Sequence, residues 1–255
     1  MNIFQGVLFG IVIMVTHFVE GITGFGCTVL ALPFAISLVG IKAAVPALVV
    51  IGWIIALYIV VIDFQNIIWK EYFKIVSVVI FGLPIGIWLF SNLSDALLKK
   101  LLGVFMILIS TRGIIAAFRT KKFESCPTKK ADFFCNKTVK KFLYNVILFL
   151  GGIIHGAFSS GGPFIVIYAT GALPDKGNFR ATLSALWLTL NLVLIIKNIN
   201  QGLMSISILK LIFCALPFLI VGMVLGNMAH SRIKEDLFTK IVYVILLISG
   251  IFMFI

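Results

Sequence analysis

The sequence predicts an all-α polytopic membrane protein built from two inverted repeats, each a broken or re-entrant helix pair followed by three transmembrane helices. Three observations predict it. Of the 255 residues, 61% are hydrophobic and only 12% charged, against roughly 45–50% and about 25% in soluble domains. A water-soluble fold of this size has too little polar material to cover that much apolar surface. Apolar runs near the ~20 residues of a bilayer span follow one another along the chain. Two glycine-rich interruptions recur at matching places in the two halves.

Helices are expected at residues 3–19, 27–39, 43–62, 73–91, 97–118, 142–156, 163–173, 181–197, 207–228 and 237–254. They read as helices because an open strand cannot satisfy its backbone in lipid. The first has no basic residue ahead of it and no small-residue cleavage site behind it, so it is expected to stay as a membrane helix rather than be removed as a signal peptide. The runs 43–62, 73–91, 97–118 and 207–228 are each long enough to cross. The runs 27–39 and 163–173 rise only about 16–20 Å at 1.5 Å per residue, short of the ~30 Å hydrocarbon core.

Each short run follows a break. The first reads Glu20-Gly21-Ile22-Thr23-Gly24-Phe25-Gly26, and the second His155-Gly156-Ala157-Phe158-Ser159-Ser160-Gly161-Gly162-Pro163. Superposing Gly21 on Gly156 also brings Gly26 onto Gly161. Further on, Gly86 matches Gly222, and Lys99-Lys100-Leu101 matches the charged start of the last helix. The chain therefore divides into a first repeat, 1–118, a basic cytoplasmic linker, 119–141, and a second repeat, 142–255. Five segments per half invert the second half relative to the first, the usual build of secondary transporters.

Charge sets the orientation. The loops on one side carry fifteen of the lysines and arginines and those on the other side five, with Arg112 left inside a span. Without the eight in the linker the ratio is still seven to five. The positive-inside rule then puts both termini outside the cytoplasm of a cell with an inner membrane. The net charge of +12 follows from these loops, so no nucleic-acid partner is expected. The expected partners are the bilayer and a small anionic substrate. The oligomeric state is left open.

The breaks are where chemistry is expected. A half-helix that starts inside a membrane exposes unpaired N–H groups, carries about half a positive charge there, and forms a ready anion site. Thr23, Gly24 and Gly26 in the first break, and Ser159, Ser160, Gly161 and Gly162 in the second, are the candidate substrate-binding residues, with Asn191 mid-span in 181–197. The glycines could instead serve helix packing, and Asn191 could instead be an interhelical hydrogen bond. Pro163 suits a first helical turn. His17, Glu20 and His155 are ionisable residues inside predicted spans, candidates for proton coupling or substrate hydrogen bonding. Lys42, Lys176 and Arg180 stand where they could draw anions in or anchor helix ends.

Other classes have weaker support. There is no GxxxxGK[ST] motif for ATP and no HExxH motif. His17 and Glu20 lack an evident third ligand, so no metal or other cofactor is expected. The cysteines Cys27, Cys126, Cys135 and Cys214 show no metal-site spacing. Ser159 or Ser160 with His155 leaves an intramembrane hydrolase as an alternative, and a membrane assembly protein is another.

The motif Gly21-Ile22-Thr23-Gly24-Phe25-Gly26 leading to Leu32-Pro33 resembles the first repeat of the sulfite exporter TauE/SafE family of membrane permeases. The stretch Gly156 to Pro163, followed by Phe179-Arg180-Ala181-Thr182, resembles its second repeat. The resemblance covers essentially the whole chain. It implies transport, often export, of sulfite or sulfur-containing organic anions in bacteria and archaea. The first break continues as Cys27-Thr28 where the second has Gly162-Pro163, so the two halves are not expected to contribute equally to a site.

Overall fold

The structure is a computed structural model that describes residues 3–23, 27–119, 137–173, 175–229 and 235–254. Ten α-helices lie among them, with no strand. They are α1 (Ile3–Thr23), α2 (Cys27–Val39), α3 (Ile41–Ile62), α4 (Trp69–Asn92), α5 (Asp95–Arg119), α6 (Lys137–Phe158), α7 (Gly162–Ala172), α8 (Lys176–Asn200), α9 (Ile206–Ala229) and α10 (Glu235–Phe252). Every helix matches one expected from sequence. Most of the linker, with Cys126 and Cys135, lies outside the described residues, as do Gly24 and Gly26.

The main difference is at the ends. Helices α4, α6 and α8 begin four or five residues earlier than their apolar runs, at Trp69, Lys137 and Lys176. Hydropathy marks where a helix enters hydrocarbon, while the hydrogen-bonded helix continues into the polar zone. Asp175 shows how α8 gains its early start: its carboxylate accepts the Asn178 N–H at 3.0 Å, capping the first turn.

Five described helices, α3, α4, α6, α8 and α9, are long and apolar enough to cross a membrane. Helices α2 and α7, with 13 and 11 residues, stay short. Half of the most apolar stretch of α3 and of α8 is buried inside the protein, against a third in α4 and α9. So α3 and α8 form the centre, and α4 and α9 turn Phe73, Phe81, Trp88, Phe213 and Ile220 outward, as lipid-facing helices do. Where α3 turns into α4, the rings of Phe64, Trp69, Tyr72 and Phe73 pack edge to face or tilted, with centroids 5.1–6.2 Å apart. An aromatic cluster at such a helix junction fits an interfacial anchor.

The helices pair across the two halves. α1 packs on α9, α4 on α6, α3 on α8 and α5 on α10. Exchanging α1–α5 with α6–α10 carries the α1–α9 contact onto α4–α6, and the α3–α9 contact onto α4–α8. Lipid tails are as apolar as leucine, so close packing rather than hydrophobicity must hold such pairs. In α4 and α6, Gly82 and Gly86 meet Gly152 and Gly156 backbone to backbone. A Cβ on any of the four would overlap the opposing main chain. On the other pair, a Cβ at Gly222 of α9 would overlap the Met14 backbone of α1.

Candidate functional site

The second break is built by one side chain from α8. Helix α6 ends at Phe158, and Ser159 takes φ 53°, the left-handed conformation that commonly terminates helices on glycine or asparagine. Serine is disfavoured there. Its hydroxyl donates to Asn191 Oδ1 at 3.0 Å, and its N–H donates to the His155 carbonyl at 2.7 Å. These two bonds hold the turn. Helix α7 then starts at Gly162 with Gly161 as its N-cap and Pro163 in the first turn, as the sequence predicts. No side chain caps α7, and the first N–H groups of a helix have no partner within it.

A cavity of about 570 Å³, its open mouth included, lies beside this turn. His155, Ser159, Ser160 and Gly162 line it from the second break. Glu20 lines it from the end of α1, and Cys27, Thr28 and Val29 from the first turn of α2. The starts of both short helices therefore face one space. Helix α3 supplies the apolar wall Gly52, Ile55, Ala56 and Ile59, one helical face at i, i+3, i+4 and i+7. Helix α8 supplies Ser184, Trp187 and Asn191.

Several polar atoms here are buried with no hydrogen-bond partner among the described residues: both ring nitrogens of His155, Ser160 Oγ, His17 Nε2 and Glu20 Oε2. Such groups are rare in folded proteins because each forfeits its solvation. His155 is held by stacking instead, its ring 5.2 Å from that of Trp187 at an interplanar angle of 21°. Among the described residues no lysine or arginine lines the cavity, and Glu20 is the one acidic residue there. What these lining residues offer an anion is helix N-termini and hydrogen-bond donors.

The structure gathers Glu20, His155, Ser159, Ser160, Gly162 and Asn191 around the cavity. Asn191 accepts the Ser159 hydroxyl and also lines the cavity. Thr23 ends α1, with its side chain outside the described set. Gly161 turns toward Gly151 and His155 rather than lining the space. His17 lies behind Glu20, only 1% exposed, with Nε2 3.9 Å from Glu20 Oε2. The expectation that this pair has no third ligand does not hold: Cys27 comes within 4.8 Å of both.

Lys42 and Arg180 do not line the cavity. Lys42 Nζ donates to the Phe90 carbonyl, sits over the Phe90 ring and lies 4.0 Å from Asp95. Arg180 lies 3.9 Å from Asp63 at the end of α3. Both tie helix ends together. Lys176 opens α8, its side chain outside the described set. Sequence reasoning missed Cys27, Thr28, Ser184, Trp187 and the α3 face. Ser184, Trp187 and Asn191 share one helical face, which their spacing could have revealed.

A serine nucleophile needs a hydrogen-bonded base. Here Ser159 donates to Asn191, and neither His155 nitrogen bonds to a serine. The arrangement holds donors around a space rather than a nucleophile beside a base.

The Ser159 turn is open to a direct check. Ser159→Ala leaves Asn191 Oδ1 without its donor and keeps a Cβ at positive φ, for an expected loss of about 1–3 kcal/mol. Ser159→Gly loses the same bond but relieves the backbone, so it should be about 1 kcal/mol more stable than Ser159→Ala. Unfolding of the purified variants in one detergent measures the order. An alanine variant equal to or above the glycine variant contradicts it.

The family model described as Sulfite exporter TauE/SafE matches residues 8–253, nearly the whole chain. No curated protein and no solved structure matches. With an all-helical, multi-pass fold and a match over both halves, this chain belongs to the sulfite exporter TauE/SafE family of membrane permeases.

Proposed function

We propose that this permease is a secondary transporter for a small anion, sulfite or an organosulfonate or related carboxylate, working by alternating access across an inner membrane. The observation that carries the reading is the shared cavity, which the first turns of α2 and α7 both border. Two helix N-termini, each with about half a positive charge, favour an anion between them. Ser160 and His155 offer polar atoms with no partner in the protein, and a bound oxyanion would supply acceptors. An organosulfonate would lay its carbon chain on the α3 wall.

Coupling to protons is the driving force in this reading. His155 and Glu20 border the cavity and His17 adjoins it. A proton carried on any of them would offset part of the anion's charge. The contacts that interchange between the halves support an inverted repeat, and rocking of one half against the other would alternate access to the cavity. Lys42, Lys176 and Arg180 then serve mainly to anchor helix ends. Thr23, Gly24 and Gly26 complete the first half of the site.

Gly162 is the sharpest position to test. A Cβ there meets only Trp187, at 3.8 Å, so Gly162→Leu should fold and fill the cavity. Gly161 is a poorer choice, because a Cβ there would overlap the Gly151 carbonyl and His155. In proteoliposomes with an imposed pH gradient, the parent should move sulfite or sulfoacetate and not a neutral control. Gly162→Leu, monodisperse in detergent, should lose at least about tenfold in flux below saturation, or 1.4 kcal/mol. Unchanged flux rejects the site.

The topology has its own test. A reporter active only outside the cytoplasm, fused after Ile255, should be active. A cytoplasmic C-terminus contradicts the inverted arrangement.

A further inference from the structure

We propose that His17, Glu20 and Cys27 form a binding site for one transition-metal ion of the zinc class on the cavity wall. His17 comes first. Its Nδ1 lies 2.7 Å from the Ile13 carbonyl. A carbonyl only accepts, so Nδ1 carries the hydrogen. That bond fixes the ring and directs Nε2 away from its own helix. Nε2 is buried and has no hydrogen-bond partner. A histidine whose other nitrogen donates to a backbone carbonyl is the usual form of a metal-ligating histidine.

The second ligand is set by helix geometry. Glu20 is three residues on, on the same face of α1, and its unpartnered Oε2 lies 3.9 Å from His17 Nε2. A neutral His17 would aim a lone pair at that carboxylate oxygen, so a positive charge between the two atoms is needed to make the arrangement favourable. A proton on His17 would supply one, as the coupling role requires. A divalent ion would supply one and engage the third group as well.

Cys27 opens α2 across the break and is buried. The donor atoms of His17, Glu20 and Cys27 all lie within 4.8 Å of one another. The thiol has one further neighbour, Thr28 Oγ1 at 3.7 Å. Tetrahedral zinc holds N, O and S ligands at about 2.0–2.3 Å, which sets them about 3.4–3.6 Å apart. Side-chain rotation at Glu20 and Cys27 covers the remaining distance.

The donor set selects the ion. Imidazole, carboxylate and thiolate suit zinc and its neighbours, whereas magnesium and calcium require oxygen ligands. A divalent ion would also neutralise the carboxylate and the thiolate together, leaving no net charge on the buried cluster. Glu20 and Cys27 both border the cavity, so a three-ligand ion would keep its fourth position toward it. The site does not depend on the transport reading, since metal binding is measured without flux.

The test is a Co²⁺ titration of the reduced, detergent-purified full chain, with cobalt standing in for zinc. The expected result is one Co²⁺ per chain with thiolate-to-cobalt charge-transfer absorption in the near ultraviolet. Cys27→Ser should abolish the absorption, and His17→Gln should weaken binding at least about tenfold. Cys126→Ser/Cys135→Ser should keep it. The site is overturned if the unmodified chain shows no such absorption, or if the absorption survives Cys27→Ser. Should Cys27→Ser fail to fold, unchanged cobalt affinity in His17→Gln overturns it instead.

Discussion

A helix that stops inside a bilayer leaves peptide groups with nothing to bond to, and each such group costs several kcal/mol in hydrocarbon. This fold contains two short helices that begin after breaks, α2 and α7, and the rest of the structure is arranged around them. At the second break the turn is closed by the Ser159 N–H on the His155 carbonyl and locked by the Ser159 hydroxyl on Asn191. The exposed start of α7 is then turned toward a protein-lined cavity instead of toward lipid. The same space receives the start of α2. Because lipid cannot satisfy these ends, the positive potential of both is concentrated in one place, and that is the physical basis for reading the cavity as an anion site.

The surrounding helices keep that geometry in register. α3 and α8 are the most buried of the five candidate spans and carry the cavity walls. At one end Arg180 meets Asp63, and the Thr182 hydroxyl accepts the Ile68 N–H at 2.9 Å. At the other, Lys42 reaches the Phe90 carbonyl and Asp95. On the flanks, α4 and α6 pack backbone to backbone at four glycines. The Glu20 carboxylate sits among positive helix ends and unpartnered donors. An anion and a carboxylate in one cavity would repel, and a proton or a metal ion at the His17–Glu20 pair, as proposed, would relieve that repulsion.

Much of this was legible in the sequence. All ten helices were readable because membrane helices declare themselves by apolar length, without any need to resolve period or register. The two short helices, the second break and Pro163 in the first turn of α7 followed from glycine placement. Glu20 and His155, which the glycine superposition pairs, both line the cavity. What stayed hidden depends on three-dimensional neighbours. Cys27 could not be seen as a neighbour of His17, because the two lie on different helices, α1 and α2. Trp187 was legible at most as a residue on the Asn191 face of α8, whereas its stacking on the His155 ring depends on a different helix. For Lys42 and Arg180 the sequence left anion attraction and helix anchoring both open, because their partners, Asp95 and Asp63, lie on other elements. Helix ends ran past the hydropathy edges for the same reason: capping by residues such as Asp175 is local chemistry that an apolar run does not register.

The central claim is that both broken helices face one anion, and it predicts a shared response. With Thr28→Cys or Ser160→Cys introduced singly and labelling read site by site by mass spectrometry, a small thiol reagent should modify each new cysteine through the cavity. Sulfoacetate should protect the two positions with the same half-saturating concentration. Protection of one position without the other, or half-saturation differing by tenfold or more, would contradict a single site shared by the two halves.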